Sequence, residues 1–423
     1  MRFSDYLAAE WKPALGCTEP AAVAWATALA AGTVDGAIQR VCLTCDPRIY
    51  KNCYAVGLPN SEGKTGILWT LAIGASLNDS SKGLRSFEAT TPSVLAIASD
   101  LMMRKAIRVE VDARRSELYI DVTVESENGT GRAVIEREHT HLTALTRNGE
   151  DLSVPPPANG DGTAPIRANL AGMSIRKMMD VALSLSPDDR KALREGIRIN
   201  TDMAVAGMDL VPARVMHRQL RHGPGRAEMY VNAGVMARMS GVARTVMTLA
   251  GSGNKGLTVS IPVWLWGREL GLPDERIDEA LAMACLVTSA TTHHLGTLSA
   301  ACGSAIAAGA GVAAGLVMLE GGGADEADLA VSSVVGTLAG MICDGAKVGC
   351  AMKTVTGVEA AFRASEYAMS GQGLPPTNGI TGIDGKTSLV HLGLIISRGM
   401  AGVDTEILDI MQIKLKPLLN HQR

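Results

Sequence analysis

Four of the eight cysteines sit where their neighbours could put a thiol to work. Cys17 stands in Gly16-Cys17-Thr18-Glu19-Pro20, just ahead of an Ala-rich run that reads as a helix. Partial positive charge at a helix N-terminus favours thiolate, the form that acts as nucleophile or base. Glu19 beside it could hold an ammonium group. The plainer reading of the same residues is a helix start, with Thr18 as cap, Glu19 favourable to the dipole and Cys17 idle. Cys302, Cys343 and Cys350 lie in Gly/Ala-rich segments, AACGSA and ICDGAKVGCAMK. On a straight helix the spacing from Cys343 to Cys350 would place both sulfurs on one face but about 10 Å apart along the axis. Gly345 and Gly349 would let the chain curl so that they converge. Three thiolates with no evident fourth ligand suit an iron–sulfur cluster better than zinc, and would leave one iron open as a Lewis acid. Three cysteines buried separately in Ala-rich helices are the alternative.

Other segments could bind rather than react. Gly251-Ser252-Gly253-Asn254-Lys255-Gly256 is a Gly-rich turn between helical runs. Its backbone N–H groups could hold a carboxylate, with Ser252 and Asn254 as side-chain donors around Gly253. It could equally be a plain interhelical loop. Lys51 and Asn52, with the turn that follows, could help hold a small anion. That turn, GLPNSEGKTG, resembles a nucleotide phosphate loop, but five residues separate Gly57 from Gly63 where the pattern needs four. A polar turn opening a helix over 66–76 is expected instead. Cys42, Cys45 and Cys53 lack a second paired motif, and with Cys285 they read as buried thiols. His293 and His294, in an uncharged run, read as core histidines.

The elements that must position these groups suggest an α+β protein. The chain has 423 residues, enough for two or three domains. Charged residues are 20% and the net charge is −3, which excludes a disordered charged tail protein and disfavours a nucleic-acid partner. Aromatics are only 3% against 46 glycines, so the core must pack through small aliphatic side chains and close backbone approach. Residues 1–35 read as an N-terminal helical segment, with a short helix over 2–12 and a second from Pro20 to a stop at Gly32, packing on a catalytic domain. Residues 36–165 read as an α+β domain. Its strand-like runs are VCLTCDPRIY, KNCYAVGL, IRVEVDA, ELYIDVTVES and AVIEREHTHLTALTR, with helices over 66–76 and 91–106 and a Pro/Gly linker at 155–165. Residues 166–423 read as almost entirely helical. From Leu281 to Leu319 there is no charged residue. Its Ala, Gly, Ser and Thr content, its two histidines and its lack of an aromatic belt favour buried helices over a membrane span. The first residues carry charge and no apolar signal core, so a cytoplasmic, reducing setting is expected.

Taken in order, GCTEP at 16–20, Lys51-Asn52 with Val56-Gly57-Leu58-Pro59, GSGN at 251–254, Cys302-Gly303 and CDGAK at 343–347 through Cys350 resemble one family over nearly the whole chain. This is the L-cysteine desulfidase family, related to the α chain of iron–sulfur L-serine dehydratases. The resemblance implies an oxygen-sensitive [4Fe-4S] lyase that converts L-cysteine to pyruvate, ammonia and sulfide without pyridoxal phosphate. It implies Cys302, Cys343 and Cys350 as cluster ligands and Cys17 as the catalytic thiol. Thr18, Glu19, Lys51, Asn52, Ser252, Gly253 and Asn254 are placed as substrate binders on chemical grounds. L-serine or another β-substituted amino acid is the alternative substrate, and a cluster-free amino-acid-binding protein the alternative from another class. A small-molecule partner, no membrane, no nucleic acid and a homo-oligomer complete the expectations.

Overall fold

The computed structural model describes residues 1–77, 79–115, 117–152, 163–219 and 223–420. The elements run α1 (Phe3–Glu10), β1 (Trp11–Leu15), α2 (Thr18–Ala31), β2 (Ile38–Cys45), α3 (Pro47–Cys53), α4 (Ile67–Ser76), α5 (Pro92–Met103), β3 (Ile107–Val111), β4 (Tyr119–Ser126), β5 (Gly129–Glu136), β6 (Leu142–Arg147) and β7 (Glu150–Asp151). They continue with α6 (Thr163–Gly172), α7 (Ile175–Ala182), α8 (Pro187–Ala206), α9 (Ala213–Gln219), α10 (Gly223–Met239), β8 (Thr245–Leu249), α11 (Gly253–Glu269) and α12 (Asp274–Leu295). The last are α13 (Gly303–Leu319), α14 (Ala324–Leu338), α15 (Cys350–Met369), α16 (Gly385–Leu394) and α17 (Val403–Asn420). The α+β expectation holds.

The chain divides into two compact units. The first is Met1–Gly16, Asn159–Met341 and Val348–Ser397; the second is Cys17–Ala158, Ile342–Lys347 and Arg398–Arg423. Residues 1–16 and the helix after them fall in different units. Most of the expected linker at 155–165 lies outside the described residues.

The second unit is built on a six-stranded sheet in the order β3-β2-β4-β5-β6-β7. β2 and β3 run parallel, joined through α3, α4 and α5; the other neighbours pair antiparallel. In β4 alternate residues are fully buried, as its period-two pattern requires. α2 covers β4 and β5 and packs on α4. Its Cys17 N-cap, Pro20 in the first turn and run of alanines make it a helix that is buried almost all round.

Where two expected strand runs meet there is a helix: α3 takes the end of VCLTCDPRIY and the first three residues of KNCYAVGL. KNCYAVGL carries aromatic and β-branched residues, but Asp46 and Pro47 ahead of it are a strong helix start. Asp46 accepts from the N–H groups of Arg48 (2.7 Å) and Ile49 (3.1 Å), and Pro47 occupies the first turn, so α3 forms.

The first unit centres on α13, where every residue from Ala305 to Leu319 is buried among α11, α12, α14 and α15. Small residues make that possible: a Cβ on Gly311 would stand 2.3 Å from the Ala284 carbonyl oxygen. The uncharged stretch is thus α12 and α13, broken at 296–302. No helix of the described residues is long and apolar enough to cross a membrane. The nearly all-helical expectation misses one pairing: β1 and β8 form an antiparallel ribbon, Trp11 opposite Leu249 and Leu15 opposite Thr245.

Candidate functional site

In the second unit, five of the expected site residues and one expected ligand meet. Cys17 is the buried N-cap of α2, and its thiol donates to Glu19 Oε2 at 2.9 Å. The Thr18 hydroxyl donates to the same oxygen at 3.0 Å. Asn52, on α3, donates from Nδ2 to Glu19 Oε1 at 3.3 Å and accepts at Oδ1 from the Ala346 N–H at 3.0 Å. Asn52 therefore ties the start of α2 to the loop 342–347, which carries Cys343. Lys51, its neighbour, makes a second tie: the fully buried Nζ donates to the Cys343 carbonyl (2.6 Å) and to Asp404 Oδ1 on α17 (2.5 Å). Arg48 Nε reaches the other Asp404 oxygen at 2.8 Å. Burial pushes the Asp404 carboxyl up, but Lys51 and Arg48 outweigh it and hold the group below its ordinary value. The loop can lie this close because Gly345 has φ +97° and no side chain; a Cβ there would fall 2.2 Å from the Lys51 carbonyl oxygen. Cys53 is buried near the same residues, and burial, then Glu19 and Cys17, push its thiol up.

In the first unit, the Gly-rich turn caps α11. Ala250 and Gly251 take positive φ, Ser252 and Leu249 exchange backbone bonds, and Ser252 becomes the N-cap without a side-chain cap bond. Asn254 Oδ1 accepts from Arg238 Nη1 at 2.9 Å, and Arg238 Nε donates to the Gly16 carbonyl at 3.1 Å. Gly253 lies against the guanidinium; a Cβ there would stand 2.5 Å from Arg238 Nε. Lys255 is buried, and its Nζ donates to the Ala250 carbonyl at 3.3 Å. Cys302 is the buried N-cap of α13, with its N–H on the Met341 carbonyl at 2.8 Å. Cys350 is the first residue of α15.

As donors, the three expected ligands suit iron in kind: Cys302, Cys343 and Cys350 are cysteines outside any disulfide, two of them at helix N-termini. Among the described residues no three His, Cys, Asp or Glu side chains are gathered to hold a metal ion.

The remaining residues resolve more simply. Cys45, Cys53 and Cys285 are buried, and Cys42 is half-buried; burial raises all four thiols. GLPNSEGKTG is a closed polar turn before α4, with the Leu58 N–H on the Lys64 carbonyl. His293 is exposed and His294 half-buried with its Nε2 unpartnered, so the core reading of this pair fails. Burial lowers His294 to about 4. Sequence reasoning missed Arg238, Asp404 and Arg48. A single arginine in the apolar run VMARM was the available sign of the first; Asp404 and Arg48 carry none, since their pairing joins residues far apart in the chain.

Residues 123–409 match the family model described as the serine dehydratase alpha chain. Relatives include UPF0597 proteins of Oleidesulfovibrio alaskensis (35% identical, 98% of each chain) and Caldanaerobacter subterraneus (33%, 96% of this chain and 97% of the other). Another is that of Geobacter sulfurreducens, 32% identical over 97% of each. With that match over most of its length, the chain belongs to the serine dehydratase alpha chain family.

Proposed function

We propose that the protein is a lyase that eliminates the β-substituent of a small L-amino acid, with L-cysteine as substrate and pyruvate, ammonia and sulfide as products. The observation that carries this reading is the bond from the Cys17 thiol to Glu19 at a helix N-terminus. Removing HS⁻ from Cβ requires the weakly acidic α-proton to be taken. A base is most effective when a second group holds it and shares its proton. Passing the thiol proton to Glu19 leaves a thiolate that the first turn of α2 stabilises. Thr18 and Asn52 hold Glu19 in register for that transfer. Glu19 is thereby assigned to Cys17 rather than to the substrate ammonium. Lys51 and Asn52 act by fixing the loop that carries Cys343. Ser252, Gly253 and Asn254 bind the substrate carboxylate. The aminoacrylate released hydrolyses without help.

Cys302, Cys343 and Cys350 remain the proposed ligands of a [4Fe-4S] cluster, on family resemblance and donor type. When bound, such a cluster supplies an open iron that stabilises the leaving group.

The test is product release by the full chain, purified and assayed without oxygen, with L-cysteine and L-serine. Sulfide and ammonia in equal amounts from L-cysteine are expected. Ammonia from L-serine alone would move the substrate to the hydroxy amino acid. No ammonia from either would refute elimination.

A further inference from the structure

A buried cation normally has an anion beside it, because an unpaired charge out of water is costly. Arg238 is 1% exposed, yet among the described residues its guanidinium meets no carboxylate. Nε and Nη1 bond to the neutral oxygens of Gly16 and Asn254, and Nη2 is buried with no hydrogen-bond partner. The guanidinium lies across the first turn of α11, against Gly253 and bonded to Asn254. The first N–H groups of a helix have no partner within it and attract negative charge. A buried, unpartnered guanidinium nitrogen thus belongs to a side chain packed on the N-terminus of a 17-residue helix.

We propose that Arg238 and the first turn of α11 form the subsite for the α-carboxylate of an amino acid, with Nη2 as the charged donor. The inference deepens the elimination reading and rests on it for the ligand's class. It gives the turn Ser252-Gly253-Asn254 the charge it lacks. It also explains why residue 253 has no side chain, since any Cβ would push the guanidinium away.

Binding of L-alanine, which has no leaving group, is measured by calorimetry on the anaerobically purified full chain and compared with L-alaninamide. Wild-type protein is expected to bind L-alanine and discriminate against the uncharged amide. Arg238→Gln, with its fold checked by circular dichroism, is expected to weaken L-alanine binding about tenfold to a hundredfold and to lose that discrimination. Should the variant not fold, the acid-against-amide comparison in the wild type carries the test. Equal binding of acid and amide, unchanged binding by Arg238→Gln, or no binding of L-alanine, L-serine or L-cysteine would overturn the subsite. The readout needs no turnover. A chain that binds L-alanine through Arg238 but releases no ammonia keeps the subsite and loses the elimination reading. One that eliminates normally with Arg238→Gln does the reverse.

Discussion

Lys51 and Arg238, one in each unit, are both buried cations, and the two are treated differently. Lys51, in the second unit, is surrounded by oxygen: the Asp404 carboxylate and the Cys343 carbonyl accept hydrogen bonds from its Nζ, and Arg48 completes the group. Arg238, in the first unit, has two neutral acceptors, and its Nη2 is left over. The first arrangement is finished and holds a loop in place. The second, on the subsite proposed above, is completed by an anion.

The largest expected effect lies next to the finished cluster. Cys17→Ala should lower elimination by about 10²–10⁴-fold, the usual contribution of a positioned base, while leaving the melting temperature close to wild type. Steady-state ammonia release and a thermal scan check both halves. Lys51→Met should cost about 3 kcal/mol in a urea titration, because Asp404 is left buried with only Arg48. Arg238→Met in the absence of amino acid should cost less, about 1–2 kcal/mol. It strands the Gly16 and Asn254 oxygens but also removes a charge that had no counter-ion. If Arg238→Met proves the more damaging of the two, the distinction between them is lost.

The units should also answer pH in opposite directions. Asp404 titrates below its ordinary value, so its stabilisation is present above about pH 4 and is lost as pH falls through the folded value. Asp328, in the first unit, is raised to about 6, by burial first, against the Gly385 N–H bond that lowers it. Its neutral form is the stable one, so its contribution is full below about pH 4 and lost as pH rises to about 6. Asp328→Asn should therefore stabilise at pH 7 by on the order of 1 kcal/mol, discounted for partial exposure, with the gain gone at pH 4. A gain that persisted at pH 4 would mean the burial of Asp328 had nothing to do with it.

What the sequence made legible follows from range. The helix after Cys17, the alternating strands β4 and β5 and the buried pair α12 and α13 are written in local periodicity, and they form as expected. The α+β class and the family resemblance hold for the same reason: their signals are contiguous motifs. α3 was misread because aromatic and β-branched residues outweighed the Asp46-Pro47 start signal. The β1–β8 ribbon joins residues more than 200 positions apart, and neither strand has a pattern of its own. At the candidate site, Cys17, Thr18, Glu19, Lys51 and Asn52 could be chosen by type and spacing. That Asn52 would bridge Glu19 to Ala346, or Lys51 bridge Asp404 to Cys343, depends on how distant segments pack, which no local pattern encodes.

The central claim is that Cys17 removes the α-proton. Its most direct test is nuclear magnetic resonance of L-cysteine incubated without oxygen in deuterated water, with wild-type protein and with Cys17→Ser. Loss of the α-proton signal with the wild type, by exchange or by conversion to pyruvate, and its retention with a folded Cys17→Ser protein is the predicted result. Equal loss of that signal with both proteins would contradict it.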